Sequence, residues 1–383
     1  MPKAQDFALH NARLVLEGEV VSGSLLIRDG RIAAIDSASS SSQGEDMDGD
    51  YLIPGLVELH TDHLEQHFLP RPGVRWHPEH AVHAHDAQIA CSGITTVLDA
   101  LRVGTDGDAK QLGRDMALLA DAIDATDRAG TLRADHLLHL RCELSAADVV
   151  EEARPFFADR DRLRLASLMD HTPGQRQYVD VSKYRLYYKG KLGMSDAEID
   201  RHMANRLEAH ALHADSNRRA VVALCRDHGI ALASHDDATQ AHVLEAVEDG
   251  VSVAEFPTTM EAADHSRRHG LAILMGAPNL MRGGSHSGNV SALDLAAQDR
   301  LDILSSDYVP ISMLHAAFRL AALQPGWTLP RAVALVTANP ARSIGLDDRG
   351  RIAEGLRADL VRVRASDVGP HIVSVWREGV RVA

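Results

Sequence analysis

The chain has 383 residues, 45% of them hydrophobic and 25% charged, which are ordinary values for a folded globular protein. Its formal net charge of −14 argues against broad binding to nucleic acid or to anionic membranes, since both recruit basic surfaces. The length exceeds one small core and points to a large domain with an accessory one.

In chain order, Phe7 to Ile35 reads as short strands, with Asp29-Gly30 as a tight hairpin turn. Positions 37 to 48, rich in Ser, Gly and acidic residues, form a polar connection. Eight apolar runs follow as candidate strands: Leu56–His60, Ile94–Asp99, His136–Glu143, Leu163–Asp170, Ile230–His235, Val251–Phe256, Leu271–Gly276 and Leu301–Ser306. Helical patterns lie between them at Asp86–Ser92, Ala109–Ala129, Asp196–His228, Asp237–Glu248 and Ser312–Leu323. Gly350–Gly355, Ala358–Val363 and Ile372–Val382 return to strands and turns. The middle predicts a (β/α)8 barrel, with a doubly wound open sheet as the alternative, and the two ends predict one small β domain between them. No Gly-x-Gly-x-x-Gly follows a strand. The polar stretch from Thr172 to Gly193 reads as a lid or a disordered insertion.

Three cysteines, Cys91, Cys142 and Cys225, make no Cys-x-x-Cys motif, and their odd count predicts no disulfide framework but a reducing, cytoplasmic setting. No apolar run approaches the ~20 residues of a membrane span, and the N-terminus carries no signal pattern. The 22 histidines, many beside Asp or Glu, are the outlying count and a metal-site composition. His60 and Asp62 share one face at the end of the first strand, because side chains alternate, so both can reach one divalent ion. Barrel enzymes gather catalysis at the C-terminal strand ends. Those ends here carry His60 and Asp62, Asp99 and Arg102, Arg141 to Glu143, Asp170 and His171, His235 to Asp237, Glu255, and Asp307.

These residues resemble the amidohydrolase superfamily over nearly the whole chain. Tyr51–His60 resembles that family's approach to its first metal-binding strand, Gly93–Val97 its second strand, Thr337–Ala341 its last barrel helix and Ile352–Leu360 its return to the β-sandwich. Within it, the chain resembles the ribose methylphosphonate triphosphate diphosphatases of the carbon–phosphorus lyase pathway. That likeness rests on His60-Thr61-Asp62, Pro70–Gly73, Ala84–Gln88, Leu140–Leu144, Met169–Gln177, Ser234–Thr239, Ala254–Thr259 and Arg282–Asn289. The resemblance implies an amidohydrolase-type barrel over 53–344 and a small β-sandwich from 1–52 and 345–383. It also implies hydrolysis of α-D-ribose 1-methylphosphonate 5-triphosphate to the 5-phosphate and diphosphate.

Most relatives have His-x-His where this chain has His60-x-Asp62, and a sixth-strand histidine where it has Glu255. A metal pair or a single ion is expected on His60, Asp62, Glu143, His171 and His235. Zinc comes first, with manganese or iron as alternatives, and Glu143 is the expected bridge. Asp307 is the expected general base, and Glu255 is placed with it among the catalytic groups. Arg71, Arg141, Arg176, Lys183, Lys189 and Arg282 are candidates for phosphate or phosphonate contacts, with Ser285 and His286 in the Gly-rich loop. The expected partner is a small phosphorylated sugar phosphonate, with no nucleic acid or membrane. A homodimer and the neighbouring pathway enzymes are implied by resemblance alone. The alternative is a metal-dependent hydrolase or deaminase acting on a C–N bond of a small cyclic substrate.

Overall fold

The structure is a computed structural model and describes residues 6–37, 44–104, 110–158, 162–285 and 288–383. Eight parallel strands form its centre: Leu56–Thr61, Ile94–Val103, Asp135–Glu143, Leu163–Met169, Ala231–His235, Val253–Glu255, Ala272–Gly276 and Ile303–Ser305. These are the eight segments expected from the sequence, with the second running on to Val103 and the sixth and eighth shorter. Each pairs with its neighbour in chain order. The two edges meet where Thr61 bridges Asp307, Asp307 N donates to His60 O at 3.1 Å, and Asp62 N donates to Asp307 O at 3.2 Å. A doubly wound sheet reverses its order at a switch point; this one runs in sequence and nearly closes, so the barrel expectation holds.

The strands are buried on both faces, as their nearly continuous apolar runs require. One cluster takes Val57, Leu98, Leu165, Ala233, Val253, Leu274 and Ile303, from seven different barrel strands, and fills the ring beneath the functional end. Helices pack outside. The longest, Asp196–His228, starts with a reciprocal capping box between Ser195 and Glu198 and stops at Gly229, whose φ of 66° suits a residue without a side chain. Among the described residues, no helix is long and apolar enough to cross a membrane.

Both chain ends build one mixed sheet. Its order runs Val380–Arg381, Gly369–Arg377, Leu360–Ser366, Tyr51–Pro54, Phe7–Val15, Val20–Arg28, Arg31–Asp36, with Glu45–Asp46 beside Phe7–Val15. Asp135, at the start of the third barrel strand, joins this sheet to the barrel. It accepts from Arg349 and Arg357 at 2.7 Å and from Arg377 at 3.0 Å. Burial works against its charge, but Arg357, Arg377 and Arg349 together hold its pKa below the usual value.

Asp135→Asn takes a shared counter-charge from buried Arg357 and Arg377 and half-buried Arg349, and the unfolding free energy at pH 7 falls by roughly 3 kcal/mol. A carboxyl whose folded pKa is depressed stabilises above its unfolded pKa and loses that contribution as pH falls through the folded one. The gap between wild type and variant therefore shrinks below about pH 4. Urea unfolding at both pH values checks both statements.

Candidate active site

The C-terminal ends of the barrel strands open into a cavity of about 580 Å³. His60, Asp62, Arg141, His171, His235, Arg282, Ser285 and Asp307 line it, as do Glu65, Arg102, Arg206, Asp236, Tyr178, Tyr187 and Tyr188. Three lining or underlying residues sit in the left-handed region of backbone space without being glycine. They are Asp236, Phe256 and Asp307, at φ of 58°, 52° and 56°, each just past a barrel strand. Such conformations cost free energy and persist where surrounding structure enforces them, which here aims two carboxylates at the cavity.

Glu255 does not line the cavity. It is buried beneath two of the histidines, accepting from His60 Nδ1 through Oε1 and from His235 Nδ1 through Oε2, both at 3.1 Å, with Ser167 Oγ at 2.5 Å. Burial alone would neutralise this carboxyl, but His139 and His60 beside it keep it well below the ordinary carboxylate range. Glu255, expected among the catalytic groups, is thus found beneath the cavity rather than on its lining, bonded to two imidazoles through Nδ1 so that Nε2 of each is left for the cavity. Glu143 acts on His171 in the same way, with Oε2 2.5 Å from Nδ1. Its oxygens also accept from His171 N, Ser145 Oγ, Arg206 and Arg102. Burial opposes its charge, and His171 overrides that and depresses the pKa. Both oxygens of Glu143, the expected bridge, are thus met by protein donors, with His171 the shortest contact.

The donor set at the cavity is therefore three imidazoles oriented by buried carboxylates, with Asp62, Asp236 and Asp307 around them. One atom each of His171, His235 and Asp236 lies within 4.8 Å of the others. Imidazole nitrogens backed by carboxylates, next to carboxylate oxygens, suit a divalent ion of the zinc or manganese type. Asp307 is half-buried, and that burial raises its pKa against the pull of His60. Asp62 reaches Arg141 at 3.7 Å.

The phosphate-contact expectations divide. Arg141, Arg282 and Ser285 line the cavity. Lys183 stays at its edge, donating to the lining Asn289 at 3.4 Å. Arg71 is exposed on a turn with Val74, away from the lining. Lys189 is exposed and pairs with Asp196 at 3.1 Å. Arg176 is buried between Asp237 and Glu245, so its charge is spent on structure. His286 lies outside the described residues. Two arginines unassigned by sequence reasoning line the cavity: Arg102, from the end of the second strand, and Arg206, from the middle of the long helix. Burial, and then Arg102, push Arg206 down to about 10. Arg102 and Asp236 stood at strand ends in the sequence and were findable there; Arg206 gave no signal. The stretch from 172 to 193, expected as a lid or a disordered insertion, forms the turn Arg176–Tyr178 and helix Val181–Leu192, and Tyr178, Tyr187 and Tyr188 make one wall of the cavity.

A family model described as the amidohydrolase family matches residues 51–382. Over 379 residues the chain is 50% identical to α-D-ribose 1-methylphosphonate 5-triphosphate diphosphatase of Escherichia coli (strain K12), covering 98% of this chain and 99% of that protein. It is 24% identical to an adenine deaminase of Desulfatibacillum aliphaticivorans, over 98% of this chain and 58% of the relative. Among solved structures, N-acetyl-D-glucosamine-6-phosphate deacetylase from Mycobacterium smegmatis matches with a TM-score of 0.65 at 17% identity, over 99% of this chain and 100% of the other. The 5-methylcytosine deaminase from Klebsiella pneumoniae matches with a TM-score of 0.65 at 15% identity, over 98% of each chain. Likenesses at this identity establish the fold.

Glu255→Gln keeps the volume but removes the charge that orients two imidazoles. Metal affinity at the cavity falls by roughly 10- to 100-fold, as measured by competition with a chromophoric chelator. Unchanged affinity would remove Glu255 from that supporting role.

Proposed function

The chain belongs to the amidohydrolase family, and on that premise we propose that it is a metal-dependent diphosphatase of phosphonate catabolism. Its substrate in this reading is α-D-ribose 1-methylphosphonate 5-triphosphate, cleaved to the 5-phosphate and diphosphate. The observation that carries this is the lining of one cavity by three oriented histidines and four guanidinium groups, Arg102, Arg141, Arg206 and Arg282. A triphosphate needs both cation types, and the full-length relative from Escherichia coli carries that substrate in its name.

His60, His171 and His235, with Asp62, Asp236 and Asp307, are the residues that would hold one or two divalent ions, zinc first for this nitrogen and carboxylate set. When bound, the metal neutralises phosphoryl oxygens and lowers the pKa of water. Asp307 accepts the proton of the attacking water and returns it to the departing oxygen. The water oxygen bonds to the phosphorus that carries the ribose 5-oxygen, and the bond from that phosphorus to the next bridging oxygen breaks. The four arginines pair with phosphoryl oxygens, each guanidinium offering two parallel donors. Their positive charge is greatest where diphosphate gathers negative charge on leaving. The tyrosine wall limits water around the sugar. A neutral cyclic substrate with a C–N bond to break would leave these guanidinium groups facing no anion, which counts against the deaminase alternative. A cytoplasmic homodimer beside the other enzymes of the pathway completes the reading; the three unpaired cysteines fit a reducing compartment.

Phosphorus NMR of zinc- or manganese-loaded protein with the ribose triphosphate is expected to show diphosphate and a 5-phosphate. Orthophosphate would move the attack to the terminal phosphorus, and an unchanged spectrum with metal bound would sink the diphosphatase reading. Asp307→Asn lowers kcat by about 10²- to 10⁴-fold with little change in KM. Arg282→Met raises KM instead, since it removes a contact made before chemistry begins.

A further inference from the structure

The catalytic cavity leaves a second histidine cluster unexplained. His63 and His67 stand four residues apart on one face of helix His63–Phe68, and His85 comes from the facing helix Pro78–Cys91. None of the three lines the cavity. His63 and His85 are 6% and 0% exposed. One nitrogen from each of the three rings lies within 4.8 Å of the others.

Three features set this cluster apart from ordinary packed histidines. His63 Nδ1 and His85 Nδ1 are 3.3 Å apart. Two nitrogens bonded to one tetrahedral zinc at 2.0–2.1 Å are separated by about 3.3 Å. The other nitrogen of His85, Nε2, is 2.8 Å from the buried carboxylate of Asp99. That fixes the proton on Nε2 and turns the lone pair of Nδ1 toward His63, the same carboxylate support seen behind His60, His171 and His235. Third, His67 Nε2 is buried without a hydrogen-bond partner among the described residues. A single proton shared between His63 and His85 would satisfy those two and still leave His67 Nε2 unpartnered, Gln88 being the neighbour that bonds the His67 ring. The adjoining group of His85, Asp99 and His136 is no rival, since its members already saturate one another through contacts of 2.8 Å.

We propose that His63, His67 and His85 form a second divalent-cation site, of the zinc type, separate from the catalytic cavity. Three imidazoles leave one tetrahedral position for water. The site ties two helices together and holds the turn that delivers Asp62 and Glu65 to the cavity, because His63 follows Asp62 directly.

The test is anomalous diffraction on either side of the zinc edge, from crystals of the full chain loaded with zinc and then dialysed against metal-free buffer. A peak among His63, His67 and His85, apart from any peak at the strand ends, is the expected result; no density there overturns the proposal. Metal analysis of the dialysed protein gives an independent measure. His67→Gln is expected to retain one zinc fewer per chain than wild type, whereas His83→Gln, which replaces a partly exposed histidine on the helix of His85, retains the full number. Equal zinc in wild type and His67→Gln also overturns it. If His67→Gln does not fold, the wild-type diffraction decides alone.

Discussion

The carboxylate of Glu255 is the constraint on which the active site rests. Parallel pairing puts His235 directly opposite Glu255 on neighbouring strands, and closure of the barrel brings His60 from the first strand onto the same carboxylate. The group is buried and anionic, a costly state that only its donors make tolerable. The reward is rigidity, since neither ring can turn without abandoning a buried charge. A one-residue slip between these strands would face the whole set the other way, so the register of the sheet and the geometry of the site are a single property. Glu143 behind His171 and Asp99 behind His85 repeat the device on other strands.

Much of this was legible in the sequence, and the gaps have physical causes. Apolar runs bounded by polar ends located the eight strands, and alternation put His60 and Asp62 together. Periodicity reports which face a residue takes but not its depth, so Glu143 and Glu255 read as site carboxylates when they lie one layer beneath. Arg206 was hidden because it sits in mid-helix among other polar residues, and only the path of that helix over the barrel end brings it to Glu143. Arg176 and Lys189 misled for the opposite reason: their acidic partners, Asp237 and Asp196, become neighbours through folding. Val181–Leu192 fell within the stretch read as a lid or a disordered insertion because it is short of apolar periodicity. It is helical because Asp180 caps it, accepting from Ser182 N at 2.9 Å, and Tyr178 packs edge-on against Tyr184 with centroids 4.9 Å apart.

A net charge of −14 and an anionic substrate are compatible once distance is considered. Charges farther away than the screening length, about 8 Å at physiological ionic strength, contribute little in the cavity. What matters there is the ring of arginines, partly balanced by carboxylates underneath. Glu143 holds Arg102 and Arg206 side by side despite their mutual repulsion. That arrangement keeps positive charge concentrated and poorly solvated, ready for an incoming phosphate chain.

The mixed sheet has a consequence for how the molecule is made. Tyr51–Pro54 is paired on one side by Phe7–Val15 and on the other by Leu360–Ser366, and Arg362 meets Asp50 across 312 positions of chain. One residue later, Gly55 packs so tightly on Thr95 that a methyl group would collide with it, and the first barrel strand begins. During synthesis the strand that launches the barrel therefore keeps an open edge until nearly all the rest of the chain has left the ribosome. Contacts of such separation form late and slowly, which leaves a nascent barrel exposed to its own unpaired edges.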